Sequence, residues 1–215
     1  MGRCQNVNGR YVWCGAFDCA QGQHLPGDRD KQRGRVGQRV HAFELSVLDA
    51  ATVQIVDSIP LSPVGGLAVS VGGDGLLYVI AKGPASGSQG RLAIVDPATR
   101  TEVAVINGLG DPTGAVVQHP SGRLLVPSLQ GILEVDPARR SVTRGPGNGV
   151  MPSGDYVVAI VLDQRGRVYG IRDHCADPVG HAGLVYVLSP PPSFDLLETV
   201  SVGACPVGAA AVLAQ

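Results

Sequence analysis

The side chains of this chain that could do chemistry cluster in two connecting segments of its second half. Asp173 and His174 follow one apolar run, and Asn148 and Asp155 precede another. Carboxylate and amide oxygens are ligands for Ca²⁺, and Asp155, Asp173 and Asp177 together could hold such a cation. The sequence predicts Asp155, Asp173, His174 and Asn148 as the residues of a ligand-binding face. A divalent cation such as Ca²⁺ is the alternative ligand.

The five cysteines form an odd set, and their spacing leaves three interpretations open: Cys4, Cys14, Cys19, Cys175 and Cys205. The first is free thiols in a reducing compartment, and the second is a disulfide, either Cys175–Cys205 or Cys14–Cys19. The third is a zinc site that mixes these cysteines with nearby histidines. No CxxC pair is present, so the spacing favours neither a metal nor any other resident cofactor.

No motif of a known catalytic chemistry occurs. The chain has no Gly-x-Ser-x-Gly elbow, no phosphate-binding loop and no dinucleotide fingerprint, and we expect no catalytic residue. Asp49, Asp96 and Asp136 recur at similar places, but an aspartate before such turns accepts backbone N–H groups. His119 precedes a proline in a turn and is predicted to be solvated.

The net charge and the hydropathy of the chain limit the classes of partner that it is expected to bind. The net charge of −1 gives no attraction for nucleic acid. No apolar run reaches the roughly 18 residues of a membrane span. Residues 1–20 show no signal peptide, which leaves the compartment unknown and fits a secreted or periplasmic parent if the N-terminus is truncated. The expected partner is a protein or a small molecule.

Three marker turns recur along the chain. The first is Pro-x-Gly before an apolar run, at Pro63, Pro112, Pro152 and Pro206. The second is a tight turn, at Asn8-Gly9, Asp74-Gly75, Ser121-Gly122 and Arg165-Gly166. The third begins at Asp49, Asp96, Asp136 and Ser189, with spacings of 47, 40 and 53 residues. Each repeat holds about four short apolar runs between turn residues, which is typical of β-propeller blades.

The sequence therefore predicts an all-β fold, a propeller of about four recognisable four-stranded blades in one domain. The blades cover residues 8–61, 62–109, 110–147 and 148–202, with a flexible insertion over 18–40 and a closing strand over 206–213. Blade one is expected to lack its first strand. Either the closing strand completes that blade, or the chain is a fragment of a larger ring.

The segments Leu45–Thr52, Val53–Leu61 and Asp74–Val79 (Asp-Gly-Leu-Leu-Tyr-Val) resemble the YVTN-type repeat of bacterial propellers, which is WD40-like in architecture. Such repeats are grouped with surface-layer proteins and with the β-chain of quinoprotein amine dehydrogenases. The resemblance implies the fold, and its usual ring has seven blades, which favours the fragment. Because the matching residues are turns and core strands, it implies little about function.

The lengths of the connecting loops indicate which face of the propeller binds a ligand. In an antiparallel blade, the connections between the second and third strands and between blades lie on one face, and the remaining turns lie on the other. All long connections fall on the first of these, which we call the long-loop face. The expected function is a non-catalytic binding or scaffold domain that presents this face. The alternatives are a cation-dependent hydrolase of the lactonase type and an accessory subunit of a quinoprotein dehydrogenase.

Overall fold

The computed structural model describes residues 4–7, 10–13, 43–62, 65–83, 89–175, 181–206 and 208–209, with the backbone alone for 4–7, 10–13 and 43. Within these described residues, sixteen strands form four sheets. Blade one contains β1 (Cys4–Val7), β2 (Arg10–Trp13), β3 (Phe43–Asp49) and β4 (Ile55–Leu61). Blade two contains β5 (Gly66–Val71), β6 (Leu77–Ala81), β7 (Arg91–Asp96) and β8 (Thr101–Asn107). Blade three contains β9 (Val117–Gln118), β10 (Leu124–Ser128), β11 (Gly131–Asp136) and β12 (Ser141–Arg144). Blade four contains β13 (Ala159–Leu162), β14 (Val168–Arg172), β15 (Gly183–Leu188) and β16 (Leu196–Val202).

Each sheet pairs four strands that are consecutive in the chain, and every pairing is antiparallel. The third and fourth strands of each sheet share a further feature, a register shift near the end of the third strand. It falls at Val47/Leu48, Ile94/Val95, Glu134/Val135 and Val187/Leu188. A bulge at the same place in four sheets marks them as copies of one unit. The predicted all-β, four-bladed architecture is confirmed.

The core lies between neighbouring sheets. Side chains alternate along each strand, so a blade has two faces, and each apolar face packs against the next blade. Leu45 and Ile59 of blade one pack with Leu77 and Val79 of blade two. A second cluster joins blades two and three, and a third joins blades three and four. The blades therefore follow one another in space in the order of the sequence.

Aspartates close the turns between the third and fourth strands, as the sequence predicted. Asp49 Oδ1 accepts the N–H of Thr52 at 2.8 Å, Asp96 Oδ1 that of Ala98 at 2.8 Å, and Asp136 Oδ1 that of Arg139 at 3.0 Å. The hydrogen bond to the Ala98 N–H is the largest cause of a lowered pKa at Asp96. These carboxylates are turn elements.

Blade one has its own first strand, contrary to the prediction. Strand β1 pairs with β2, with Val7 opposite Arg10, so the place reserved for a C-terminal strand is filled. Of the predicted closing strand 206–213, Pro206, Gly208 and Ala209 are described and lie outside strands. The insertion at 18–40 lies outside the described residues.

His119 is buried, with 7 % of its surface exposed, so its predicted solvation is wrong. Its Nδ1 accepts the N–H of Ser121 at 3.1 Å, and its Nε2 lies 3.3 Å from the carbonyl oxygen of Gly166. The ring thus links the first turn of blade three to that of blade four, on the face opposite the long loops.

No helix in the described part of the chain is long and apolar enough to cross a membrane.

Candidate functional site

Two segments of blade four meet at the long-loop face. The segment Met151–Val158 leads into β13, and the residues from Asp173 onward leave β14. Because β13 and β14 are antiparallel, with Ala159 opposite Ile171, the start of one strand lies beside the end of the other. The Val158 N–H donates to the Ile171 carbonyl at 2.7 Å and extends the pairing toward this edge. Asp155 and Asp173 are thereby brought to the same end of the sheet.

Blade three holds the incoming segment in place. Thr113 Oγ1 donates to the carbonyl oxygen of Val157 at 2.6 Å. The Val157 N–H donates to the carbonyl of Ser128 at 3.2 Å, and the Val157 side chain is buried in the third core cluster. A backbone bonded on both sides and anchored by a buried side chain gives Asp155 a fixed position.

Asp155 is paired with a cation and a phenol. Arg172 NH1 donates to Asp155 Oδ2 at 2.6 Å, and Tyr186 Oη donates to the same oxygen at 2.6 Å. Tyr186 has no exposed surface. Its burial, followed by its hydrogen bond to Asp155 and the charge of that carboxylate, raises the pKa of the Tyr186 phenol to about 12. The phenol therefore stays a neutral donor at ordinary pH.

Tyr156 connects this pair to Asp173. Tyr156 Oη donates to Asp173 Oδ1 at 2.8 Å, and Arg172 Cζ lies 5.3 Å from the centroid of the Tyr156 ring. Partial burial first, and then the bond to Asp173, raise the pKa of the Tyr156 phenol. Asp155, Tyr156, Arg172, Asp173 and Tyr186 form one connected set, which we call the Asp155 network. A guanidinium fixed against a ring and a carboxylate is preorganised to bind.

One donor of this network is unused. Arg172 Nε is buried and has no hydrogen-bond partner among the described residues. Buried polar groups are nearly always paired, since an unpaired one carries the full cost of its desolvation. Asp155 accepts from the guanidinium of Arg172, and Asp173 accepts from Tyr156, whose ring lies against that guanidinium. The site can therefore offer both donors and acceptors to a ligand.

His174 lies next to this network in the chain and has an unusual environment. Its backbone is left-handed, with φ of 52°, a region in which histidine is more common than most residues. Both ring nitrogens are buried and have no hydrogen-bond partner among the residues that the structure describes. The ring of His181 meets it edge-on, with 6.1 Å between centroids. The edge of one imidazole thus lies against the face of the other.

A disulfide joins Cys175 to Cys205, with 4.6 Å between the Cα atoms. This pairing is one of the two considered from the sequence; Cys14 and Cys19, which form the other, lie outside the described residues. The link ties the segment after β14 to the segment after β16. The Gly183 N–H supports it by donating to the Gly203 carbonyl at 3.3 Å. The segment from Asp173 to Cys175 is therefore held to the edge of the blade.

Asn148 is not part of the cluster. Its Oδ1 accepts the Gly145 N–H at 2.8 Å, and its carbonyl accepts from Arg144 NH1 at 3.2 Å. These bonds close the turn after β12. The structure thus brings together Asp155 and Asp173, with His174 adjacent, and assigns Asn148 a role in the turn.

Three members of the Asp155 network were not predicted: Tyr156, Arg172 and Tyr186. Arg172 ends an apolar strand and reads as a solvated strand end. Tyr186 lies inside a strand, 31 residues from its partner Asp155. The one signal in the sequence is that Arg172 directly precedes Asp173, at the end of a strand that enters a long loop.

The described residues contain no group of three or more His, Cys, Asp or Glu side chains placed to hold a metal ion. At the Asp155 network, Arg172 NH1 and Tyr186 Oη donate to Asp155 Oδ2, and Tyr156 Oη donates to Asp173 Oδ1.

No protein-family model matches the chain, and no curated protein matches it in sequence. Solved structures do. The Dos1 propeller aligns with a TM-score of 0.58 and 9 % identity, over 96 % of this chain and 48 % of that one. Hydrazine synthase from Kuenenia stuttgartiensis aligns with a TM-score of 0.54 and 18 % identity, over 74 % of this chain and 43 % of that one. The chain spans less than half the length of either structure. At these identities the likeness concerns the fold, and it establishes that the chain has a β-propeller fold.

Proposed function

We propose that the chain is a non-catalytic binding domain whose ligand contacts the Asp155 network on the long-loop face of blade four. The observation that carries this proposal is the unpaired, buried Nε of Arg172. The other side of the same guanidinium is held by Asp155, and Tyr156 lies against its face. A ligand oxygen that reaches Nε as the neighbouring side chains move would pair this donor.

The ligand chemistry follows from the charges. Asp155 and Arg172 neutralise each other, and Asp173 contributes one further negative charge. A ligand with several hydroxyl groups, or a carbonyl beside hydroxyl groups, would use Arg172 as donor and Asp173 as acceptor. A group on a protein loop or on a small molecule could supply these atoms, and a small molecule is the simpler probe.

The cation-dependent hydrolase has less support. A Ca²⁺ ion takes about six to eight oxygen ligands from carboxylates, carbonyl groups and water. Asp155 Oδ2 accepts from Arg172 and Tyr186, so binding Ca²⁺ through this oxygen would require both donors to leave. The accessory-subunit alternative rests on the sequence resemblance alone.

The test is a thermal-shift panel of millimolar solutes from separate classes: neutral sugars and polyols, carboxylates, phosphate, amines and CaCl₂. We expect a rise in melting temperature with one oxygen-rich class, since a ligand that binds only the folded chain stabilises it. Arg172→Lys keeps the charge and removes the Nε donor, and it should abolish the rise. Arg165→Lys, at an exposed turn of blade four on the opposite face, is the matched control and should retain it.

Two outcomes would overturn the proposal. One is an equal shift in wild type and Arg172→Lys, and the other is no shift with any class. A shift with CaCl₂ alone that is lost in Asp155→Asn would favour the hydrolase.

A further inference from the structure

We propose that Cys175, Cys205, His174 and His181 form a zinc site when the disulfide between the two cysteines is reduced. The inference goes beyond the proposed binding function and uses none of the residues of the Asp155 network. It assigns a role to the two imidazoles beside the disulfide.

The four side chains supply a complete set of zinc ligands. Structural zinc sites are tetrahedral and are built from cysteine thiolates and imidazole nitrogens, the Cys₂His₂ set among them. His174 and Cys175 are adjacent, and His181 follows near the start of β15. Cys205 reaches the same place from the segment after β16, bonded to Cys175.

The spacing within the histidine pair and within the cysteine pair is compatible with one shared ion. With zinc–nitrogen bonds of about 2.0–2.1 Å and tetrahedral angles, two zinc-bound imidazoles have ring centroids roughly 5 Å apart. The rings of His174 and His181 are 6.1 Å apart, edge to face. Zinc–sulfur bonds of about 2.3 Å place two thiolates roughly 3.8 Å apart. The sulfurs of Cys175 and Cys205 start in covalent contact, so the reduced pair has to separate by less than the length of one side chain.

The nitrogens of His174 give a second, independent reason. Both are buried, and neither has a hydrogen-bond partner in the described chain. A neutral imidazole has one nitrogen with a lone pair, and where that nitrogen has no hydrogen-bond partner the lone pair is available for a metal. His174 adopts this position in a left-handed conformation with φ of 52°, so its placement is an added cost that pairing would offset.

The disulfide controls the site, because only the thiolate binds zinc. In the oxidised chain the sulfurs are bonded to each other, two histidines remain, and no metal-binding group of three is present among the described residues. A dithiol reductant transfers two electrons and two protons. Its own two sulfurs become a disulfide, the bond between Cys175 and Cys205 breaks, and two thiols form. Zn²⁺ then binds both sulfurs as thiolates and releases two protons. Cys175 and Cys205 are exposed, so a reductant can reach them.

The experiment uses the full chain in two forms, oxidised and reduced with a dithiol that is then removed under anaerobic conditions. Zn²⁺ is titrated against a chromophoric chelator, and Co²⁺ is added in parallel as a spectroscopic probe. The reduced chain should bind one Zn²⁺ with an affinity at least 100-fold above that of the oxidised chain. Co²⁺ should give the intense visible bands of tetrahedral geometry and a sulfur-to-metal charge-transfer band.

Variants separate this site from the other thiols. His174→Ala and His181→Ala should each weaken zinc binding to the reduced chain at least tenfold, and Cys175→Ser should abolish the specific site. The triple variant Cys4→Ser/Cys14→Ser/Cys19→Ser is the matched control and should keep full affinity. Arg172→Lys should also keep it, so a failure of the zinc site and a failure of the binding function are distinguishable.

Unfolding of the reduced chain would also produce zinc binding, because the cysteines and histidines of an unfolded chain bind zinc. Zn²⁺ must therefore raise the melting temperature of the reduced chain and leave that of the oxidised chain unchanged. The proposal is overturned if that rise is absent, if both forms bind equally, or if affinity is lost in the triple variant and kept in Cys175→Ser.

Discussion

Tyr186 Oη lies 2.6 Å from Asp155 Oδ2, which ties the third strand of blade four to the segment before its first strand. Strand β14 lies between these two elements in the sheet, so the bond reaches past a whole strand. Arg172, at the end of β14, donates to the same oxygen. One carboxylate oxygen thus gathers three elements at the long-loop face, and its geometry fixes the position of the guanidinium that we assign to ligand binding.

Tyr186→Phe should destabilise the chain measurably. The substitution removes the hydroxyl from a fully buried side chain and deprives Asp155 of a charge-assisted bond, which costs roughly 1.5–3 kcal/mol. Tyr169→Phe is the matched control. Its hydroxyl is 3.2 Å from Asp163 on a partly exposed side chain, and its loss should cost under about 1 kcal/mol. Denaturant unfolding of both variants checks this prediction, and equal costs would contradict it.

Stability should fall at alkaline pH because of the same phenol. The pKa of Tyr186 is raised in the folded chain to about 12, against an ordinary value of 10.0. Above about pH 10 the unfolded chain loses the phenol proton while the folded chain retains it, so each further rise in pH favours unfolding until the folded pKa is passed. The contribution of Tyr186 is fully present below pH 10 and lost between about pH 10 and 12.

The measurement is the free energy of unfolding as a function of pH in wild type and Tyr186→Phe. The variant should lose less stability over that interval. Burial also raises the pKa of Tyr78, so Tyr78→Phe should have the same effect in blade two and serves as a positive control. A pH profile unchanged in both variants would show that neither phenol is coupled to folding.

The strands were predictable because the turns between them carry local signals. The aspartates at the turns between third and fourth strands bond backbone N–H groups only two or three residues away, as Asp96 and Asp136 show. The tight turns that contain glycine are equally local signals. Strand β1 was missed although Asn8-Gly9, the strongest hairpin signal present, falls between Val7 and Arg10. The short polar segment Cys4–Val7 has no apolar pattern of its own, and only its pairing with β2 makes it a strand.

The candidate site was predictable only in part. Asp155 and Asp173 were predicted because binding residues are often on long loops, but their partners depend on which strand ends lie side by side. Arg172 lies 17 residues from Asp155, and no local rule links them. The prediction for His119 was wrong for the same reason. A histidine in a turn is ordinarily solvated, but His119 is buried beside Gly166, which lies 47 residues away in the chain.

Gly166→Ala and Gly122→Ala should differ in cost, and the difference should report the contact between blades three and four. Both glycines have positive φ, +75° and +84°, so both substitutions carry a backbone cost of roughly 1–2 kcal/mol. A Cβ at Gly122 meets nothing within 4 Å, whereas a Cβ at Gly166 would lie 2.9 Å from His119 Nε2. We expect Gly166→Ala to be the more destabilising variant. His119→Ala relieves the clash, so Gly166→Ala should cost no more than Gly122→Ala in that background; a persistent difference there would contradict the assignment.

Removing the disulfide should destabilise the oxidised chain through the unfolded state. Cys175 and Cys205 are 30 residues apart, and closing a loop of this length in the unfolded chain corresponds to about 3–4 kcal/mol in the chain-entropy model. Cys175→Ala/Cys205→Ala should lower the free energy of unfolding by up to this amount under oxidising conditions. The measurement is denaturant unfolding of the variant and wild type, each with and without a dithiol. Reduction should bring wild type close to the variant and leave the variant unchanged, because Cys175–Cys205 is the only disulfide among the described residues. A dithiol effect that persists in the variant would place a second disulfide among Cys4, Cys14 and Cys19.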